Sequence, residues 1–97
     1  MHIKLTPTPR GFLRADFQDG NGEMCSIQES SAAESPFIWL GVNDANPQIF
    51  PGDGTGWHPY PLPESVVCST RMHLTQEQAA ALIPHLQRFV ETGRLDD

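Results

Sequence analysis

The chain has 97 residues, which is enough for one domain with a single core. Its 12 Asp and Glu residues outnumber its 6 Lys and Arg residues and give a net charge of −6. Binding to nucleic acid or to an anionic membrane needs clustered Lys and Arg. We therefore predict a single domain over residues 1–97 with no direct nucleic-acid binding and no membrane binding.

The acidic residues are concentrated in the middle of the chain. Between Arg14 and Arg71 there is no Lys or Arg, and this stretch holds eight carboxylates: Asp16, Asp19, Glu23, Glu29, Glu34, Asp44, Asp53 and Glu64. Such a surface favours a protein partner with a basic surface. The alternative is an ordinary solubilising surface, because this net charge is common in small soluble domains.

The N-terminus has no apolar segment typical of a signal peptide, and no apolar run approaches the roughly 20 residues of a membrane span. We therefore expect a cytoplasmic protein. Its two cysteines, Cys25 and Cys68, are then expected to be reduced thiols. Both fall on predicted inward faces of strands, where buried thiols are inert.

The first half of the chain predicts β structure. Residues 1–10 form an extended lead-in that contains two prolines. Residues 12–29 predict an antiparallel hairpin, because two alternating segments flank the turn sequence Asp-Gly-Asn-Gly at positions 19–22. After a polar loop at residues 30–36, the apolar run at residues 37–42 predicts a strand in the centre of the sheet, covered on both faces.

Residues 43–64 predict a long loop, because they hold five of the nine prolines and three glycines. Within this loop, residues 49–50 are candidates for a short edge strand. Alternation then resumes at residues 65–74 and predicts a long strand.

A C-terminal helix is predicted over residues 76–92. Thr75 and Gln78 form a capping box at its start, and Gly93 follows as a C-cap. Pro84 lies inside the helix and should bend it or remove the backbone hydrogen bond from position 84 to Ala80. Apolar residues recur at helical spacing and form one stripe: Ala79, Leu82, Ile83, Leu86, Phe89 and Val90. The fold class predicted from these elements is α+β, a small antiparallel sheet of four to five strands packed by one C-terminal helix.

No recognisable catalytic or metal site is present in the sequence. The four histidines lack the spacing of metal ligands, and no nucleophile motif surrounds a serine. The Gly-rich residues 52–56 are flanked by prolines and open no helix, which excludes a phosphate loop. We therefore predict a protein that is not an enzyme and binds no metal and no cofactor. A small enzyme or metalloprotein is the less favoured alternative.

Aromatic residues in the Pro-rich loop are candidate interface anchors, because a stiff loop loses little entropy on binding. The alternative is that they fold back and seal the sheet edge. Together with acidic residues in the neighbouring loops they give the predicted partner-binding set: Asp19, Glu29, Glu34, Asp44, Asp53, Trp57 and Tyr60. If these loops gather at one end of the fold, they form an acidic rim around the aromatic side chains.

Three segments resemble a group of small proteins encoded by bacteriophages and prophages. They are residues 25–31 (Cys-Ser-Ile-Gln-Glu-Ser-Ser), residues 38–41 (Ile-Trp-Leu-Gly), and residues 70–75 (Thr-Arg-Met-His-Leu-Thr) with residues 82–89 after them. The resemblance implies a compact phage protein that acts inside a bacterial host cell. Small acidic phage proteins, anti-CRISPR proteins among them, often inhibit host machinery by covering basic grooves.

Two functions follow as expectations. The first is a non-enzymatic, anti-CRISPR-like inhibitor that binds a host defence or nucleic-acid-handling complex through its acidic face. The alternative is a small structural or accessory phage protein that self-associates, as a homodimer whose interface is supplied by the strand at residues 65–74 and the apolar helix stripe.

Overall fold

A computed structural model describes residues 1–96, so that Asp97, the last residue of the predicted domain, lies outside the described residues. The strands within the described chain are β1 (Thr6–Pro7), β2 (Leu13–Gln18), β3 (Met24–Glu29), β4 (Phe37–Val42), β5 (Gln48–Ile49), β6 (His58–Pro59) and β7 (Arg71–Thr75), followed by the helix α1 (Gln76–Thr92). Five strands form an antiparallel sheet in the order β1-β2-β3-β4-β7. The single C-terminal helix packs on this sheet at β7. The predicted α+β class is therefore confirmed.

The N-terminal hairpin has the predicted form. β2 and β3 pair antiparallel, with Ala15 opposite Ile27 and Phe17 opposite Cys25. In the turn, one carboxylate oxygen of Asp19 accepts hydrogen bonds from the backbone N–H groups of Asn21 (2.8 Å) and Glu23 (3.0 Å). The lead-in adds a short edge strand, β1, to β2. An edge strand tolerates Pro7, because an edge strand has a neighbour on one side only and the missing N–H group of proline can face the other side.

The apolar run at residues 37–42 forms β4, which lies inside the sheet between β3 and β7. All six of its residues are half-buried, which is less cover than the expected burial on both faces.

The long strand predicted at residues 65–74 is wrong in its first part, because β7 begins only at Arg71. β4 ends at Val42, so residues 65–70 have no neighbouring strand with which to form a ladder. Alternation of side chains predicted a strand here, but a strand also needs a partner for its backbone groups. The first part of this segment instead closes a turn, in which the N–H of Val66 donates to the carbonyl of Pro63 (3.0 Å).

The helix α1 begins and ends as predicted. Thr75 Oγ1 accepts a hydrogen bond from the N–H of Gln78 (3.0 Å), and the Gln78 side chain accepts one from the N–H of Thr75 (3.0 Å). These two bonds form the capping box. Gly93 ends the helix in a left-handed conformation with φ of 76°, and its N–H donates to the carbonyl of Phe89. The helix continues through Pro84.

The two ends of the sheet follow from its antiparallel topology. The hairpin turn at residues 19–22, the C-terminal end of β4 and the N-terminal end of β7 lie at one end, here called the hairpin end. The loop at residues 30–36 and the first turn of α1 lie at the other, the helix end. Residues 43–70 leave and return at the hairpin end, and within them β5 and β6 pair as a separate two-stranded ladder.

The two faces of the sheet differ sharply in chemistry. Residues opposite one another in antiparallel strands point to the same side. By this register, one side is the apolar face, made of Leu13, Ala15, Phe17, Cys25, Ile27, Ile38, Leu40, Val42, Met72 and Leu74. The other side is the polar face, which carries Arg14, Asp16, Ser26, Gln28, Phe37, Trp39, Arg71 and His73. Among the described residues the buried ones are Ala15, Cys25 and Ser26, so the core is small.

Candidate binding surfaces

The predicted partner-binding residues divide between the two ends of the sheet. Asp19 lies in the hairpin turn, Asp44 is the second residue after β4, and Asp53, Trp57 and Tyr60 lie in the segment that leaves from the same end. Glu29 and Glu34 lie at the opposite, helix end. Six-residue strands separate the ends by roughly 20 Å. The condition for a single acidic rim, that all these loops gather at one end, is therefore not met by Glu34, and Glu29 lies at the same end as Glu34.

Glu29 has a structural contact of its own. One of its carboxylate oxygens accepts a hydrogen bond from the backbone N–H of Leu13 (2.7 Å), at the start of β2. It thereby satisfies a backbone donor at the end of the β2–β3 ladder. Glu34 is exposed in the loop that joins β3 to β4. Substitutions of Glu29 and Glu34 can therefore be compared with substitutions of the acidic residues at the hairpin end.

Side chains of the hairpin hold the start of the segment at residues 43–70. The backbone N–H of Asn43 donates to the carbonyl of Met24 (2.9 Å), and its side-chain amide donates to Asp16 (3.1 Å). The amide of Asn46 donates to a carboxylate oxygen of Glu23 (2.8 Å). The segment thus leaves the sheet in a fixed direction.

The aromatic residues of this segment stay exposed. Trp57 is 66% exposed and Tyr60 is 56% exposed, so neither side chain seals the sheet edge. The ring of Trp57 contacts that of Phe50, with centroids 5.2 Å apart and planes at 44°. The N–H of Tyr60 donates to the carbonyl of Pro47 (2.8 Å), next to the β5–β6 ladder. The rings of Trp57 and Tyr60 therefore lie on a short piece of backbone next to two paired strands. We call Phe50, Trp57 and Tyr60 the aromatic end.

Asp53, Thr55 and His58 form a hydrogen-bonded chain between β5 and β6. Thr55 Oγ1 contacts both the carboxylate of Asp53 and Nε2 of His58. Hydrogen bonds from the side chain and the backbone of Thr55 lower the pKa of the Asp53 carboxyl, so this group is an acceptor at neutral pH. The Thr55 hydroxyl therefore donates its proton to Asp53, and Nε2 of His58 lies against the same hydroxyl oxygen. These contacts join three residues of the segment to one another.

The polar face carries a cationic cluster that the linear sequence does not reveal. Nη1 of Arg71 lies 3.3 Å from Ser26 Oγ and 2.8 Å from Gln28 Oε1. Nη1 of Arg14 lies 3.3 Å from the same Gln28 oxygen. The two arginines that bound the stretch without basic residues therefore meet over β3, in the middle of the sheet.

Asp16 partly balances this cluster. Its carboxylate is paired with Arg14 (3.0 Å) and accepts the amide of Asn43. The hydrogen bond from Arg14, followed by that from Asn43, lowers the pKa of the Asp16 carboxyl. The group is consequently ionised at neutral pH and orients Arg14 along the strand.

An aromatic column stands beside the cluster. The imidazole of His73 stacks on Trp39, with centroids 3.9 Å apart, and on Phe37, at 4.3 Å. The guanidinium of Arg71 lies 5.5 Å from the centroid of Trp39. His73 Nε2 is also 2.8 Å from Ser30 Oγ. Phe37 and Trp39 are two residues apart in β4 and therefore share one side of the sheet, but the pairing of β4 with β7 was needed to place them against His73.

The two cysteines differ in environment. Cys25 is buried on the apolar face, and burial raises the pKa of its thiol. Cys68 is exposed in the irregular residues before β7, so its predicted inward position is wrong. The correction has the same cause as that for residues 65–70, which is the lack of a neighbouring strand.

Residues 1–96 hold neither a metal-binding cluster nor a membrane-spanning helix. These residues contain no group of three or more His, Cys, Asp or Glu side chains placed to hold a metal ion. They also contain no helix that is long and apolar enough to cross a membrane.

Comparisons with protein-family models, with curated proteins and with solved structures gave no match. Nothing in them indicates a phage origin.

Proposed function

We propose that the protein is a non-enzymatic binding protein whose hairpin end docks on a basic surface of a protein partner. The observation that carries this proposal is the exposure of Trp57 and Tyr60 in the same segment of the chain as Asp44 and Asp53. Large exposed aromatic side chains at a fixed piece of backbone are typical of interface anchors.

The energetic argument has two parts. Paired strands and prolines restrict the backbone around the aromatic end, which reduces the entropy lost on binding. Acidic residues around it give long-range attraction to Lys and Arg and speed the encounter. Binding affinity then comes mainly from the rings, and selection of a basic partner comes from the charges.

The specific form of the proposal is the one that the sequence resemblance suggests, an inhibitor that covers a basic groove of a host defence or nucleic-acid-handling complex. The polar face supports a protein partner over a nucleic acid, because Arg14 and Arg71 are already bonded to Asp16, Gln28 and Ser26. Their donors are thereby less available to phosphate groups.

The test is capture of a partner from bacterial extract by the immobilised chain at low salt, followed by affinity measurement with the purified partner. We expect Trp57→Ala to weaken binding about 30-fold, which corresponds to about 2 kcal/mol. Asp53→Lys should also weaken it, and raising the salt to about 0.5 M should weaken the wild-type complex.

Glu34→Lys is the matched control, because it makes the same change of charge at the helix end. We expect it to retain most of the affinity. The proposal fails if the chain captures no partner at low salt, or if Asp53→Lys and Glu34→Lys reduce the affinity equally.

A further inference from the structure

The apolar stripe of α1 is left without cover. Leu86 is 57% exposed, Phe89 is 54% exposed and Val90 is 78% exposed. The helix meets the sheet only near its first turn, and a groove of about 310 Å³ lies there between Ala79 and Ile38. No residue of α1 within the described chain is buried, so the stripe beyond this turn is not packed into a core.

The apolar face of the sheet is open as well. Ile27 and Leu40, in the middle of β3 and β4, are only half-buried, and Met72 on β7 is 53% exposed. Residues at such central positions are normally fully buried when a helix covers the sheet. The molecule thus carries both halves of a helix-on-sheet core, and the two halves meet only near the first turn of α1.

The connection between β7 and α1 explains why the helix does not cover its own sheet. Thr75 is the last residue of the strand and also the N-cap of the helix, so no loop residue separates the two elements. Reversal of the chain, which would lay α1 back over its own sheet, needs a connection of roughly 2–6 residues. The helix therefore leads away from the face that its stripe would fit.

The size of the exposed surface supports a missing partner. The chain exposes 7888 Å², whereas a folded monomer of 10.7 kDa exposes about 5,500 Å², so the excess is about 2,400 Å². A stable dimer buries about 800 Å² on each partner, which is about a third of that excess. The radius of gyration is 16.8 Å, compared with about 12.5 Å for a compact domain of this length.

We propose that a second copy of this chain covers both surfaces, with the α1 stripe of each copy packed on the apolar face of the other. A two-fold axis gives a closed dimer, because each copy packs its own helix on its partner and is covered by the partner's helix. The helix is roughly 25 Å long, and four strands are roughly 15 Å wide between their outer axes, so one helix spans the face.

Charge placement favours a second copy at this site. At 100° per residue, the charged residues Glu77, Arg88 and Glu91 lie on the side of α1 away from the stripe. The apolar face has no charged side chain apart from Glu29 at its border. Association therefore buries apolar surface without burying charge. Because each copy carries −6, added salt screens repulsion and does not weaken the dimer.

The test is the molar mass of the full chain in solution, measured by light scattering after size-exclusion chromatography. We expect twice the chain mass of 10.7 kDa at about 10 μM, at both low and high salt. Leu86→Glu should raise the dissociation constant at least about 100-fold and give a monomer. Ala81→Glu is the matched control, since it places the same charge on the other side of the helix, and it should remain dimeric.

A mixing experiment tests the exchanged arrangement itself. Met72→Glu changes an exposed position of the apolar face, so its fold should survive, and it too should be monomeric. An equimolar mixture of Leu86→Glu and Met72→Glu should regain the dimer mass, because one helix–sheet contact is then intact. Circular dichroism verifies the fold of each variant. If Leu86→Glu unfolds, the molar masses of the wild-type protein and of Met72→Glu test the proposal instead. Three results would overturn the proposal. They are a wild-type protein that is monomeric at about 100 μM, a Met72→Glu or Leu86→Glu variant that remains dimeric, and two folded variants that do not form a dimer when mixed.

The salt response separates this proposal from the one for the hairpin end. Binding to a basic partner weakens with salt, whereas self-association through uncharged surfaces does not. Either proposal can therefore fail without the other.

Discussion

Gly41 in β4 is the position at which the sheet accepts no side chain. Its φ of 150° is a conformation that other residues rarely adopt. A Cβ atom here would lie 2.8 Å from the carbonyl oxygen of Thr70 and 3.0 Å from Cα of Arg71. Because these are backbone atoms, the strand β7 itself would have to move.

Gly41→Ala should therefore lower the free energy of unfolding by about 1–3 kcal/mol. The measurement is chemical denaturation followed by circular dichroism. Gly20→Ala is the control, because Gly20 lies in the hairpin turn with open space around it and no positive φ; it should change the stability by less than about 1 kcal/mol. Equal effects of the two substitutions would contradict the close approach of β4 and β7.

Arg71 is the residue whose role the sequence concealed most. In the linear chain it marks the end of an acidic stretch, which suggested a surface of one sign. In the fold, its side chain passes from β7 over the position of Gly41 and reaches β3, where it bonds to Ser26 and Gln28. That contact joins residues more than 40 positions apart, and local patterns of side chains carry no information about such pairings.

Elements with strong local signals were predicted well. The hairpin, β4 and α1 depend on turn residues, a short apolar run and a capping box, all of which act within a few residues. The strand at residues 65–70 failed because strand formation depends on a neighbouring strand that the sequence does not name. The same reason explains the misplaced Cys68. Glu34 is separated from the hairpin end for another reason, because β3 runs the length of the sheet between the hairpin turn and the loop at residues 30–36.

Thr75 determines both where β7 ends and where α1 begins. Thr75→Ala removes the side-chain acceptor for the N–H of Gln78 and should cost about 1 kcal/mol of stability. Thr75→Ser keeps the hydroxyl and should retain most of it. Thermal or urea unfolding of the three proteins tests this expectation, which is wrong if Ala and Ser at this position give the same stability.

At the scale of the whole molecule, the protein has two surfaces with different chemistry. The aromatic end and the carboxylates of Asp44 and Asp53 belong to residues 43–70, which leave the sheet at the hairpin end. The apolar face and the helix stripe are uncharged and complementary to one another. A dimer formed by the second surface would carry two copies of the first, which allows two-site binding to a partner that has repeated basic surfaces.

Amide hydrogen exchange of α1 tests the central claim, that the helix is covered by a second copy. An uncovered helix of this length is only marginally stable in water, so its amides would exchange as fast as those of an unstructured segment. We predict that α1 in the wild-type protein and in Ala81→Glu exchanges as slowly as β3 and β4, and that Leu86→Glu loses this protection in α1 alone. Rapid exchange of α1 in the wild-type protein, with β3 and β4 protected, would contradict the account.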